Sequence, residues 1–201
     1  MTKSPRSRLR RISVFCGSRE GTRPAYAQAA YALGRALIHR GIGLVYGGGG
    51  VGLMGRLSET VKADGGELIG IIPRALLARE VGRVDLAELR IVRSMHERKA
   101  MMVELSDGFI ALPGGFGTFE EFCEIVTWAQ LGLHAKPVGL LNIESYFDPL
   151  IGQFDRAVGE GFASTENRAL ILHETDPGRL LDLMERYDPP KVEQWIDSDE
   201  A

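Results

Sequence analysis

A chain of 201 residues, 44% hydrophobic and 25% charged, is long enough to bury a proper core and ordinary in composition for one globular domain. Its net charge of −3 is unevenly spread: Lys3, Arg6, Arg8, Arg10 and Arg11 fall in the first eleven residues with no acid among them, which leaves 19 basic against 27 acidic residues, near −8, for the body. So acidic a body argues against gripping a nucleic-acid polymer, no apolar run approaches a membrane span, and two cysteines make no disulfide framework.

Residues 1–11 read as a disordered basic leader without the apolar centre of a signal peptide, so a reducing cytoplasm is the expected compartment. From there the elements alternate. Ile12 to Cys16 is a short apolar run that reads as a buried strand ending at Gly17-Ser18. Thr22 and Pro24 open a helix that runs to Arg40 and stops at Gly41. Ile42 to Tyr46 is a second strand, ending in four glycines, and a helix follows from about Gly52 to Ala63. Leu68 to Ile72 is a third strand, closed by Pro73; an irregular piece carrying Glu80 leads to a fourth, Leu89 to Val92. Ser94 with Glu97 forms a capping box opening a helix over 95–105. Phe109 to Leu112 is the fifth strand, and a helix starts at Thr118. Pro137 to Leu141 is the sixth strand, Asp148-Pro149 starts a helix ended by Gly161, and Ala169 to Leu172 is the last strand. A final helix runs from Asp176-Pro177 to about Tyr187, and an acidic, loose tail follows over 188–201.

Strands of four to six apolar residues alternating with longer helices make βαβ units, and these predict a mostly parallel sheet covered on both faces. The expected fold is α/β, one Rossmann-like doubly wound domain over 12–187 with about seven strands. Its ligands belong at the carboxyl ends of the strands, where each glycine cluster falls.

Three motifs carry chemistry. Gly50-Val51-Gly52-Leu53-Met54-Gly55 matches G-x-G-x-x-G, but it follows the second strand, and no acid stands about 20 residues on to hold a ribose. Arg56-Leu57 also replaces the Lys-Ser/Thr of a P-loop, so this run is read as lining a pocket for a smaller nucleotide, with Gly48, Gly49 and Met54 as candidates. Second, Arg98 shares a helix face with Met101, Met102 and Leu105, a face expected against the sheet. A guanidinium there needs a partner or must snorkel at the rim; Lys99 lies beside it. Third, Pro113-Gly114-Gly115 and Gly117-Thr118 lead from a strand into a helix, where free backbone N–H groups and the helix dipole hold anions. Glu120 and Glu121 follow within one turn. Glu121 could close a T-x-x-E capping box on Thr118; alternatively the two acids could hold ribose hydroxyls, face a developing positive charge or orient a water. Ser18 is a weaker pocket hydroxyl, and Cys16 reads as a small buried hydrophobe. Four scattered histidines show no metal-ligand spacing.

Taken together, VFCGS, YGGGGVGLMG, GIIP, MHERKAMM, SDGFIALPGGFGTFEE and TWAQLGLHAKPVGLLN resemble the LOG ("Lonely guy") family, the cytokinin riboside 5′-monophosphate phosphoribohydrolases, often labelled lysine decarboxylases. The resemblance covers roughly Ile12 to Phe162; Gly50 departs from it, standing where relatives often carry a polar residue. It implies hydrolysis of the N-glycosidic bond of an N6-substituted adenosine 5′-monophosphate, releasing the base and ribose 5-phosphate, without metal or organic cofactor and in a homodimer or larger homo-oligomer. By resemblance, Arg98 and Glu121 are the catalytic pair, and Glu80, Lys99, Gly114, Gly115, Gly117, Thr118, Glu120 and Thr127 bind the nucleotide. The competing reading is a non-catalytic carrier of a nucleotide or of molybdenum cofactor, which shares the fold and the P-G-G-x-G-T loop but has no need of the Arg–Glu pair.

Overall fold

A computed structural model describes residues 9–77 and 88–191. Glu80, most of the basic leader and most of the acidic tail lie outside the described residues.

Seven strands, β1 (Arg11–Phe15), β2 (Gly43–Tyr46), β3 (Leu68–Pro73), β4 (Glu88–Val92), β5 (Gly108–Ala111), β6 (Val138–Leu141) and β7 (Ile171–Glu174), form one sheet in the order β4-β3-β2-β1-β5-β6-β7. Every pairing is parallel. Helices α1 (Pro24–Arg40), α2 (Gly52–Ala63), α3 (Arg74–Leu77), α4 (Met95–Leu105), α5 (Phe116–Gln130), α6 (Asp148–Gly159), α7 (Thr165–Ala169) and α8 (Pro177–Glu185) fill the crossovers and the end of the chain. None of them is long and apolar enough to cross a membrane.

The strand period of two sorts the apolar side chains into two cores. Ile12 and Val14 of β1, Leu44 and Tyr46 of β2 and Ile110 of β5 pack with Leu33 and Leu37 of α1, Leu57 of α2 and Leu180 of α8. The alternate residues Phe15, Val45, Phe109 and Ala111 pack on the opposite face with Met102 of α4 and Phe122 and Ile125 of α5. Burial on both faces explains why the strands read as continuous apolar runs.

Local signals set most boundaries. Pro24 sits in the first turn of α1, and Gly41 ends it in the left-handed region at φ 65, its N–H bonded to the carbonyls of Leu37 and Ile38. Ser94 caps α4 by accepting from the Glu97 N–H at 3.1 Å, while Glu97 reaches past the cap to the Arg93 N–H at 2.7 Å. Most boundaries fall within one residue of expectation, and three elements differ by two. Strand β7 lies two residues later, because Ser164 accepts from the Asn167 N–H and starts the short α7, which takes up Ala169, the first residue read as strand. Helix α8 ends at Glu185, and α5 begins at Phe116.

One half-buried histidine is expected to make the fold pH-sensitive. His134 packs on Phe109, ring centroids 5.4 Å apart. Its Nδ1 accepts from the Lys136 N–H at 3.2 Å, which leaves Nε2–H to donate to the Ile125 carbonyl at 3.0 Å. Burial pushes its pKa from 6.5 down to about 4, against the pull of the Ile125 bond. Between those values the unfolded chain binds a proton that the folded one does not, so stability falls as pH drops from 6.5 to 4, by about 3 kcal/mol at most. Urea unfolding at pH 7, 5.5 and 4 measures this loss, and His134→Gln is expected to flatten it; an equal acid slope in the variant contradicts the assignment.

Candidate active site

The chain winds outward from β1 to β4, then returns to lay β5 against the other side of β1. The two windings diverge there, so a crevice opens beyond the carboxyl ends of β1 and β5. Its walls are stitched by backbone: Leu112 N–H donates to the Phe15 carbonyl at 2.9 Å, and Gly17 N–H to the Pro113 carbonyl at 3.1 Å. A cavity of about 310 Å³ lies in this crevice, lined among others by Cys16, Ser18, Gly47, Met54, Met95, Arg98, Gly115 to Thr118 and Glu121.

The anion-holding end is the start of α5. Gly115 is its N-cap, at φ −95 and ψ −157, and no side chain caps it. The N–H groups of Phe116, Gly117 and Thr118 have no acceptor within the helix and carry the positive end of its dipole. Added Cβ atoms at Gly115 or Gly117 would meet nothing within 4 Å, so the approach is open. Gly114 is the tight position: a Cβ there would overlap Thr118 Oγ1 and come 2.8 Å from the Gly17 nitrogen.

This geometry removes the capping-box reading of Thr118 and Glu121. Thr118 is the third residue inside the helix, because Phe116 and Gly117 take helical conformation despite their weak propensity. Glu121 therefore closes no capping box with Thr118. It is only 7% exposed and faces the cavity.

Opposite it, Arg98 is 6% exposed, so it does not snorkel at the rim. Its Nη2 lies 3.4 Å from Glu121 Oε1, its Nη1 is 3.9 Å from Met95 Sδ, and its buried Nε has no hydrogen-bond partner among the described residues. The guanidinium reaches this place over Gly47, where any Cβ would overlap Nη2. A glycine at the end of β2 is thus the seat of the arginine.

The glycine run behind β2 does less than its pattern suggests. Leu53 and Met54 N–H groups, at the start of α2, donate to the Gly17 carbonyl at 3.0 and 3.4 Å, so protein satisfies that helix end. Gly52, at φ 62, lies against the backbone of Ser18 and Arg19. Gly48, at φ 75, packs beneath Ile72 and Leu89, and neither it nor Gly49 lines the cavity; Gly47, Met54 and Ser18 do. The motif is a packing device that frames the pocket.

On α4 the buried residues are Arg98, Lys99 and Met102, so the buried face is turned toward Lys99, away from the expected centre; Met101 and Leu105 are half-buried. Lys99 Nζ bonds Glu120 at 2.5 Å and Glu124 at 2.9 Å, clamping α4 to α5. Neither Lys99 nor Glu120 lines the cavity. Sequence reasoning missed Glu124 and Gly47; the i,i+4 spacing of Glu120 and Glu124 was the available signal for the former. Thr127 is elsewhere too: it donates to the Cys123 carbonyl at 2.8 Å and lines a separate groove with Phe154, Val158 and Asn167. Burial pushes the Cys16 thiol up, and the Glu121 charge adds to this, so it stays protonated as a small core residue. Among the described residues, no group of three or more His, Cys, Asp or Glu side chains could hold a metal ion.

Comparison with known proteins bears on this site. A family model described as "Possible lysine decarboxylase" matches residues 54–184. The chain is 50% identical over 184 residues to a probable cytokinin riboside 5′-monophosphate phosphoribohydrolase of Oryza sativa subsp. japonica, covering 92% of this chain and 82% of the relative. A cytokinin riboside 5′-monophosphate phosphoribohydrolase of Arabidopsis thaliana is likewise 50% identical over 184 residues, covering 92% of this chain and 86% of the relative. Among solved structures, the molybdenum cofactor binding protein from Rippkaea orientalis superposes with TM-score 0.66 at 24% identity over 90% of this chain and 98% of that one. The molybdenum cofactor carrier protein from Chlamydomonas reinhardtii gives 0.66 at 20% identity over 89% and 97%. At such identity these two establish the fold alone.

Proposed function

The chain belongs to the LOG family of cytokinin riboside 5′-monophosphate phosphoribohydrolases, and from that membership we propose that it hydrolyses the N-glycosidic bond of adenosine 5′-monophosphates, N6-substituted ones included, to the free base and ribose 5-phosphate. The observation that carries the reading is the buried Arg98–Glu121 pair facing an open helix N-terminus across one cavity.

The two ends of the site suit the two ends of the sugar. The phosphate docks on the backbone N–H groups at the start of α5, where donors are free and the helix dipole is positive. Glu121 then faces C1′. As the base departs, the ribose becomes cation-like, and a fixed carboxylate only 7% exposed favours that charge over the neutral ground state. The same carboxylate accepts a proton from the attacking water. The Arg98 guanidinium, 3.4 Å from Glu121 Oε1, orients that carboxylate and offsets the negative charge of carboxylate and phosphate. Glu80, Lys99, Glu120 and Thr127 are assigned to nucleotide binding by resemblance to the family only. Thr127 lies nine residues beyond Thr118, roughly 13 Å along the helix, so we place its contact in the cavity of a second copy within a homodimer or larger assembly.

The label of lysine decarboxylase fits the residues poorly. A lysine that forms a Schiff base needs an accessible amine whose pKa is lowered. Lys99, though burial works against its charge, has its pKa raised by Glu120 and Glu124; Lys136 has its pKa lowered by burial, but its Nζ donates to the Val103 carbonyl at 2.7 Å and it does not line the cavity.

Incubation with AMP and isopentenyladenosine monophosphate, followed by chromatography, tests the reading through released base and ribose 5-phosphate. Nucleotide binding by folded protein without turnover of either would favour the carrier. Gly47→Ala should lower kcat/KM about 10- to 100-fold, because its Cβ displaces the Arg98 guanidinium. The melting temperature should hold, since the displaced atoms are the end of a flexible side chain; unchanged turnover would show that the seat of Arg98 is not constrained.

A further inference from the structure

We propose that Tyr146 is a positioning residue for the phosphate loop, holding the Gly114–Gly115 peptide in the orientation that binds the 5′-phosphate; this rests on the nucleotide-hydrolase reading above. The Tyr146 hydroxyl donates to the Gly114 carbonyl. A trans peptide is planar, and its C=O and N–H point in opposite directions. Holding the Gly114 oxygen toward Tyr146 therefore turns the Gly115 N–H away from it, toward the side where Arg98 and Glu121 lie. The cavities agree: Gly114 and Tyr146 line one, Arg98 and Glu121 the other, and Gly115 borders both.

Two adjacent glycines make this peptide easy to flip, since neither has a Cβ to bias the backbone. A flip would put a carbonyl oxygen where the phosphate needs a donor. Some element outside the loop must forbid it, and the turn after β6 is built to do so. Glu144 at φ 53 and Ser145 at φ 57 are the two non-glycine residues at positive φ among those described, and they immediately precede Tyr146. Such strain persists only where surrounding contacts over-determine it. Buried Asn142 supplies these contacts, accepting from the Phe147 N–H at 2.7 Å and donating to Asp148 at 2.6 Å, while Arg23 pairs with Glu144 at 3.1 Å. The Tyr146 ring is fixed in turn by Tyr26 at 5.7 Å and Phe147 at 5.1 Å, both edge-on.

Tyr146→Phe removes only the hydroxyl and keeps the ring packing. Calorimetry with ribose 5-phosphate is expected to show about tenfold weaker binding, the usual weight of one such hydrogen bond. KM for AMP should rise by a similar factor while kcat changes little, and adenosine, which lacks the phosphate, should bind as it does to the wild type. Unchanged ribose 5-phosphate affinity, or equal weakening of ribose 5-phosphate and adenosine, overturns the proposal. Failure of the wild type to release base from any monophosphate overturns the hydrolase reading instead, and the calorimetry still reports on the loop.

Discussion

Glu121→Gln is expected to lower kcat/KM for an adenosine 5′-monophosphate by about 10³-fold, with the loss almost entirely in kcat. Glutamine fills the same volume and still offers an oxygen to Arg98 Nη2, so the buried contact at 3.4 Å can survive the change. What it cannot offer is a negative charge beside C1′ or an acceptor for the proton of the attacking water. Phosphate binding at the start of α5 involves different atoms, so KM should move little. An interaction made only in the transition state is lost from kcat and kcat/KM alike, and this pattern is the signature to look for. A purely structural Glu121 would give the reverse: a lower melting temperature and normal turnover. Because Gly115, and not Thr118, occupies the N-cap of α5, no capping role remains to produce that result. Steady-state kinetics and a thermal melt of the variant decide between the two, and turnover within threefold of wild type would remove Glu121 from the chemistry.

The fold was largely legible because its signals are local. Apolar runs at Ile12, Leu44 and Phe109 announce buried strands, and Pro24, Gly41 and Ser94 mark helix ends by chemistry that acts within a turn. The loop beyond β5 was legible for the same reason, as glycines between a strand and a helix. The features that were missed depend on tertiary approach. Nothing local shows that Gly47 lies under a guanidinium from α4, or that the G-x-G-x-x-G helix end spends its donors on the Gly17 carbonyl. The start of α5 was misplaced because Gly117 disfavours helix on its own, and packing of Phe122 and Ile125 into the core overrides that preference. The buried face of α4 was read from its methionines, whereas two charged residues occupy much of it and owe their burial to partners on α5.

Those partners give the largest expected effect of a substitution on stability at neutral pH, at Lys99. Its side chain is 7% exposed and lies between Glu120, 54% exposed, and Glu124, 23% exposed. Removing the cation from a buried pair strands the carboxylate, which costs several kcal/mol when the site is dry. Water reaches Glu120 and partly reaches Glu124, so Lys99→Met should cost about 2–3 kcal/mol, lowering the melting temperature by about 4–12 °C for a chain of this size. Adding Glu124→Gln should restore more than half of the loss, because the stranded charge goes with it. The pH dependence has a definite sign. Burial alone would lower the Lys99 pKa, but Glu120 and Glu124 together raise it above 10.5. The clamp's stabilisation is therefore fully present below 10.5 and disappears only as pH rises through the higher folded value, so the deficit of the variant should be constant from pH 6 to 9. Direct contact between Lys99 and the nucleotide, the role the resemblance gives it, would add a raised KM that Glu124→Gln does not rescue. The clamp also fixes how α4 meets α5, and Arg98 and Glu121 sit next to its two ends, so Lys99→Met should lower kcat in proportion to the loosened helix pair, with rescue of stability and of kcat by Glu124→Gln moving together.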